Sequence, residues 1–166
     1  MMQQESMLGE QSGEQLQLVS FTVGEELFAV NILSVQEINR MMSLTKVPQS
    51  SDGIEGVINL RGRIIPVLNL RCQFGIPTTE LNDDSRIIVV DVAGSTVGFI
   101  VDSVQRVLLI DSSVIEPTPL MSTSIDSSYV RGVAKLEEGL LILLDLDNLL
   151  SPEHLSALEG AHKRVA

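Results

Sequence analysis

The chain has 166 residues, 44% of them apolar, with four Phe, one Tyr and no Trp. This is material for one ordinary domain or two small coupled ones around a core that must be aliphatic, and it nearly excludes base-stacking platforms. A net charge of −11 would repel nucleic acid and anionic lipid, so neither nucleic acid binding nor direct membrane insertion is expected.

Residues 1–14 are Met, Gln, Ser, Gly and Glu without periodicity and read as a disordered tail. Leu16 to Val23 reads as a strand, Gly24-Glu25-Glu26 as a turn, and Leu27 to Val30 as the returning strand. Asn31 suits the cap of a short turn before an extended Val35 to Ile38. Pro48 to Gly53 is a loop. Ile54 to Leu60, with Gly56 at a bulge, turns at Arg61-Gly62-Arg63 and returns over Ile64 to Leu68. Asn69 to Phe74 fits a single helical turn stopped by Gly75 and Pro77. After a polar link at Thr78 to Ser85, strands follow at Arg86–Val92, Thr96–Val101 and Val104–Ile110, with a turn at Ala93-Gly94-Ser95. Glu116 to Ser128 is a loop, and Tyr129–Leu136 pairs with Leu140–Leu144 through Glu137-Glu138-Gly139. Ser151-Pro152-Glu153 opens a final helix reaching about Ala161, so the organisation expected is a 1–14 tail, a 15–150 domain and a 151–166 helix with its tail.

The restart after residue 85 is an internal repeat. Ile54 to Leu70 aligns without a gap on Val130 to Leu146, matching Gly56 to Gly132, Leu60 to Leu136, Leu68 to Leu144 and Leu70 to Leu146. Ser34-Val35-Gln36-Glu37-Ile38 is echoed by Ser103-Val104-Gln105-Arg106-Val107. Short strands at regular spacing read as small barrels, and two units of some 70 residues are marginal alone, so they are expected to share a core.

Residues shared by the copies are most simply structural; differences at matched turns need another reason. The tip Arg61-Gly62-Arg63 becomes Glu137-Glu138-Gly139 in the second copy. Turn geometry does not require arginine, whereas its planar fork of donors suits a carboxylate or carbonyl on a partner. Charge is also uneven: residues 1–37 hold six acids and no Lys or Arg, while 38–79 hold Arg40, Lys46, Arg61, Arg63 and Arg71 against Asp52 and Glu55. A cationic island in an acidic chain points to a partner there, against the simpler reading of a solvated, self-neutralised face.

The segment Gly56-Val57-Ile58-Asn59-Leu60-Arg61-Gly62-Arg63-Ile64-Ile65-Pro66-Val67 resembles the signature of the CheW-like domain family. So do Leu70-Arg71 with Phe74-Gly75, Gly24 to Val30, Val35 to Ile38, Arg86 to Val90, Gly98 to Asp102 and Ile115-Glu116-Pro117, spanning nearly all of Leu16 to Leu150. The resemblance implies a mainly β fold of two five-stranded SH3-like β-barrels around a shared hydrophobic interface. It also implies a non-catalytic adaptor in bacterial chemotaxis, bridging the cytoplasmic tip of chemoreceptors and the regulatory domain of the histidine kinase CheA. Such a protein is cytoplasmic and associated with membrane-bound receptor arrays. The length leaves no room for a receiver or kinase module.

Position by position, the family's receptor-contacting arginine is Arg61, within Asn59-Leu60-Arg61-Gly62, and Val35, Glu37 and Ile38 lie near it. A groove edged by Val35, Ile38 and Arg61 is therefore expected, with the guanidinium accessible. Asn69 departs from the family's frequent aspartate, which puts a local charge or cap in question. The kinase contact is an apolar barrel-to-barrel surface in the family and is not assignable to residues from the sequence. Two rival readings are an adaptor of another receptor–kinase array and a small ligand-binding β-barrel.

Catalytic chemistry is not expected. Neither a GxxxxGK nor a GxGxxG phosphate loop occurs, so the older "purine-binding" label of the family finds no support, and no cofactor is expected. His154 and His162 lie in the last segment, Asp83-Asp84 in a polar link, and Asp145 with Asp147 suits a cap better than a metal pair. Cys72 has no second cysteine to join, which with an N-terminus that lacks the cationic start of a secretory signal suits a reducing cytosol.

Overall fold

Strands that are apolar on both faces need a covering layer on each side, and the chain supplies this by placing every central strand between two cores. The computed structural model describes residues 14–46, 54–77, 80–92, 94–116 and 129–149. The tail before residue 14, the loops at 48–53 and 117–128, both histidines and the expected helix from Ser151 lie outside the described residues.

Ten strands appear among the described residues: β1 (Gln15–Val23), β2 (Glu26–Asn31), β3 (Val35–Arg40), β4 (Ile54–Leu60), β5 (Arg63–Asn69), β6 (Arg86–Val92), β7 (Ser95–Val101), β8 (Ser103–Asp111), β9 (Val130–Leu136) and β10 (Gly139–Leu144). One one-turn helix follows the last strand of each copy, α1 (Leu70–Gln73) after β5 and α2 (Leu146–Leu149) after β10. The Asn69 side chain accepts from the Arg71 N–H at 3.0 Å, so the cap at α1 is made without an aspartate. Asp145 accepts from the Asn148 N–H at 3.2 Å at the start of α2, as a capping side chain does. The short turn after β2 is a 3₁₀ turn, Ile32–Ser34, and the Asn31 side chain accepts from the Leu33 N–H at 2.9 Å.

The strands form two five-stranded sheets, in the orders β8-β1-β2-β10-β9 and β3-β6-β7-β5-β4. Each sheet draws on both copies of the repeat. The β1–β2 hairpin of the first copy sits between β8 and β10 of the second, and the β6–β7 hairpin of the second sits between β3 and β5 of the first. The joins are antiparallel at β1–β8 and β3–β6 and parallel at β2–β10 and β5–β7. The sequence repeat is real, but its copies exchange hairpins rather than forming one sheet each. In the sheet containing β3 and β4, an antiparallel bridge between Thr45 and Val57 ties the chain beyond β3 to the opposite edge, as SH3-like closure requires; Glu116–Val133 does the same in the other sheet.

Alternation along each strand then assigns the side chains to three cores. In β6, Ile88, Val90 and Val92 enter the core shared between the sheets, while Ile87 and Val89 enter the interior of their own sheet. In β1, Val19, Phe21 and Val23 face the shared core and Leu18 the interior of the other sheet. The expected shared core is present, though it is less purely aliphatic than composition suggests. Phe21, Phe28, Phe74 and Phe99 are all buried there and Tyr129 packs against it. Phe28 stacks between Phe21 and Phe74, with ring centroids 6.0 and 5.0 Å apart.

The matched glycines of the repeat mark close approaches. A Cβ on Gly56 would sit 2.6 Å from the Thr45 carbonyl oxygen, and one on Gly132 would sit 2.9 Å from that of Glu116. Each glycine lets the bridging segment cross its strand, and the ladder register shifts beside each of them, so the bulge expected at Gly56 is present in both copies.

Candidate functional site

The tip of the β4–β5 hairpin is built by its own sequence. Arg61 and Gly62 are the two central residues of the turn, with φ of 54° and 84°, the positive pair of a type I′ hairpin turn. Arg63 belongs to β5, so the turn is one residue shorter than expected. The Asn59 side chain accepts from the Gly62 N–H at 2.9 Å, and Leu60 packs against the interior core of its sheet. Asn59, Leu60 and Gly62 thus shape the turn that presents Arg61.

Arg61 is the one non-glycine residue at positive φ among the described residues, a conformation that Asn or Gly occupies at lower cost. At the matched tip of the second copy the positive angle falls on Gly139, at 140°, and no glutamate is strained. The turn thus keeps an unfavourable backbone angle under a long cationic side chain.

The Arg61 side chain is 74% exposed and its guanidinium donates to Glu37 of β3. Asn39 also donates to Glu37, at 3.2 Å. The Arg61 hydrogen bond is the main cause holding the Glu37 carboxyl below its ordinary 4.5, against a smaller opposing effect of burial. β3 and the β4–β5 tip belong to opposite sides of one sheet, so this pair spans the gap between its edges.

The remaining expected residues divide. Ile38 is exposed and free to contact a partner, whereas Val35 is half-buried and leans on the shared core. The groove that the structure forms near β3, about 150 Å³, lies between the sheets. Leu16, Leu143 and Leu146 line it, with Ser34, Asp91 and Arg131 among its polar residues; Arg61 and Ile38 are not part of its lining. Arg61 is therefore accessible, but on a projecting tip and not at the wall of this groove.

Three members of the cationic island, Lys46, Arg61 and Arg71, pair with acids of the same chain. Arg71 makes a two-pronged contact with Asp102, at 3.0 and 2.6 Å, and donates to the Pro77 carbonyl at 2.7 Å. Asp102 also accepts from the Gly24 N–H at 2.8 Å, so Arg71 and Asp102 join α1 to the β1–β2 turn of the other sheet. The Asp102 hydrogen bond raises the Arg71 pKa further above its already high value. Lys46 pairs with Glu55 at 3.6 Å. Lys46 and Arg61 both combine an ion pair with high exposure, at 80% and 74%, and of the two it is Arg61 that is held at positive φ on a hairpin tip.

The second copy carries the same edge-spanning contact with its charges exchanged. Arg106 occupies the repeat position of Glu37, and it donates at 2.5 Å to Glu138, on the tip matched to Arg61-Gly62. Beside it, Val107 and Leu109 on the edge strand β8 are 53% and 61% exposed. Sequence reasoning did not find this apolar strip. Its signal was Val107 and Leu109 alternating on a strand, which reads as ordinary burial until the strand is known to lie at an edge.

Residues 17–154 match the family model described as CheW-like domain. This chain belongs to the CheW-like domain family. A chemotaxis protein CheW of Klebsiella aerogenes is 33% identical over 95% of this chain and 93% of its own length. A chemotaxis protein CheW of Thermotoga maritima is 35% identical over 89% and 94%. The crystal structure of the scaffolding protein TtCheW from Thermoanaerobacter tengcongensis superposes with a TM-score of 0.78, at 40% identity, covering 85% of this chain and 91% of that one. The CheW-like family places the chain among chemotaxis scaffold proteins, which are non-catalytic adaptors. No helix among the described residues is long and apolar enough to cross a membrane.

Proposed function

We propose that this CheW-like chain couples the cytoplasmic tip of chemoreceptors to the regulatory domain of CheA, in the cytoplasm at membrane-bound receptor arrays. The observation that carries the reading is Arg61, held at positive φ on a projecting hairpin, exposed, and aimed by Glu37. Its donor fork is suited to carboxylates and carbonyls of a helical receptor hairpin, with Ile38 adding apolar area and Val35 backing the strand. The exposed Val107–Leu109 strip on the other sheet suits an apolar barrel-to-barrel contact with the kinase. Two surfaces on two sheets with a common core would hold receptor and kinase in one geometry, so that a change in one reaches the other.

Co-sedimentation with receptor fragments and with the CheA regulatory domain tests both halves. Arg61→Glu is expected to abolish receptor capture with little change in melting temperature. Because that variant sets a second carboxylate against Glu37, the neutral Arg61→Gln is measured beside it and is expected to lose receptor capture too. Leu109→Glu is expected to lose kinase capture only. If Arg61→Gln binds receptor normally, or unfolds the protein, the receptor assignment is wrong.

A further inference from the structure

The ladder between β3 and β6 skips Gln36: Val35 pairs with Val90 and Glu37 with Val89. Gln36 is the extra residue of a bulge, a device that re-aims the side chain beside it, here Glu37. The Gln36 amide donates to Asp91 Oδ2 at 2.6 Å. The other oxygen of the same carboxylate, Oδ1, accepts from the Thr96 hydroxyl at 3.1 Å. The Thr96 hydroxyl oxygen in turn accepts from the Arg63 guanidinium at 2.9 Å. One carboxylate on β6 therefore ties the bulge next to Glu37 on one side and, through Thr96 on β7, the first residue after the Arg61–Gly62 turn on the other.

The repeat supplies an internal control. β8 skips Gln105 in the same way, pairing Arg106 with Ser20 and Val104 with Phe21. The bulge and its glutamine are thus features of the fold. The register puts Thr22 where the first sheet has Asp91, and there the network is local: Gln105 donates to the Ser103 hydroxyl at 2.8 Å, which shares a hydrogen bond with Thr22. The two-armed carboxylate belongs to the sheet that carries the strained, exposed arginine.

We infer that Asp91 is a positioning residue for the receptor-facing edge, holding Glu37 and Arg61 in the relative geometry that a partner meets. An aspartate is suited to this because its two oxygens accept from both arms at once; an asparagine removes the charge yet can keep both arms, its oxygen accepting from Gln36 and its amide donating to the Thr96 hydroxyl, whereas an alanine keeps neither. This inference rests on the receptor reading of Arg61, and its physical part can be judged without it.

The experiment uses the full chain with Asp91→Ala, Asp91→Asn and, as the matched control in the other sheet, Thr22→Ala. The Glu37 carboxyl is titrated by NMR in each, and capture of a receptor-tip fragment and of the CheA regulatory domain is measured. Removing a nearby negative charge alone would lower the Glu37 midpoint further. Loss of positioning loosens the Arg61 and Asn39 hydrogen bonds that hold it down, and so raises it toward 4.5. The expected result in Asp91→Ala is a raised midpoint, receptor capture weakened about tenfold, and kinase capture unchanged, whereas Asp91→Asn, which removes the charge and can keep both arms, raises no midpoint and keeps receptor capture, and Thr22→Ala moves none of these. A Glu37 midpoint that stays or falls in Asp91→Ala overturns the positioning role, as does a parallel loss of receptor and kinase capture in that variant. Should Arg61→Gln itself leave receptor capture intact, the receptor reading fails, and the direction of the Glu37 shift still decides whether Asp91 sets the pair.

Discussion

At the scale of single residues, the Arg61–Glu37 pair has a pH signature whose sign is set. A carboxyl held below its ordinary value in the folded state contributes stability above the unfolded pKa and loses it as pH falls through the folded value. The Glu37 carboxyl should therefore titrate below 4.5 by NMR, and in Arg61→Gln it should move back up toward that value. The exposure of the pair makes this a local reporter and not a determinant of global stability. Asn69 offers a second residue-scale test. Its amide donates to Glu55 at 3.5 Å while its oxygen caps α1. In the second copy the same two positions hold Arg131 and Asp145, 3.6 Å apart. The charge at one position follows the charge at its neighbour, which accounts for the absent aspartate. Asn69→Asp would set two carboxylates together, and is expected to destabilise the protein by about 1 kcal/mol at neutral pH. Denaturant unfolding should show the loss, its relief by Glu55→Gln, and its decline at low pH as the carboxylates protonate.

At the scale of elements, the close approach of the bridging segments to β4 and β9 depends on a missing side chain. Gly132→Ala places its new carbon against Ile115 and 2.9 Å from the Glu116 carbonyl oxygen, so the bridging backbone must shift to admit it. We expect a loss of about 2 kcal/mol by denaturant unfolding, and a similar loss for Gly56→Ala against Thr45. A neutral result at either position would show that the bridge yields. The two hairpin tips add a different kind of information. Arg61 meets Glu37 and Glu138 meets Arg106, so the β4–β5 hairpin set against β8 would oppose Arg61 with Arg106, and β9–β10 set against β3 would oppose Glu138 with Glu37. The reversed signs disfavour the misassembly that two similar copies would otherwise allow.

At the scale of the whole molecule, exchange of hairpins makes the two halves of the sequence interdependent. The first copy alone would leave β1–β2 without the strands on either side of it and β3, β4 and β5 without the hairpin at their centre. Residues 1–77 and 78–166 expressed separately are therefore expected to be unfolded by circular dichroism, and the intact chain to melt in one cooperative transition through its shared core. Two independent transitions would overturn this. The same interdependence bears on coupling. Both proposed surfaces sit on sheets that contribute to one core, so neither can shift far without repacking the other.

Much of this was local and hence legible. Strand positions, the Asn31 cap, the helical turn after Asn69 and the glycine at the bulge follow from side-chain alternation and from backbone groups seeking nearby partners, and these depend on neighbours within a few residues. The repeat and the Asn59-Leu60-Arg61-Gly62 tip were likewise written in contiguous residues. Strand partnership was not, because β1 meets β8 and β5 runs beside β7 through contacts between residues far apart in the chain, and many pairings satisfy the same apolar alternation. Nor could the sequence say that Arg71 is committed to Asp102 while Arg61 projects into solvent, since both read as arginines of one cationic island. Exposure and pairing are decided by which side chains the fold brings within hydrogen-bond reach of one another. The chain by itself determined its elements, its duplication and its family; tertiary structure alone chose which charges remained available to a partner.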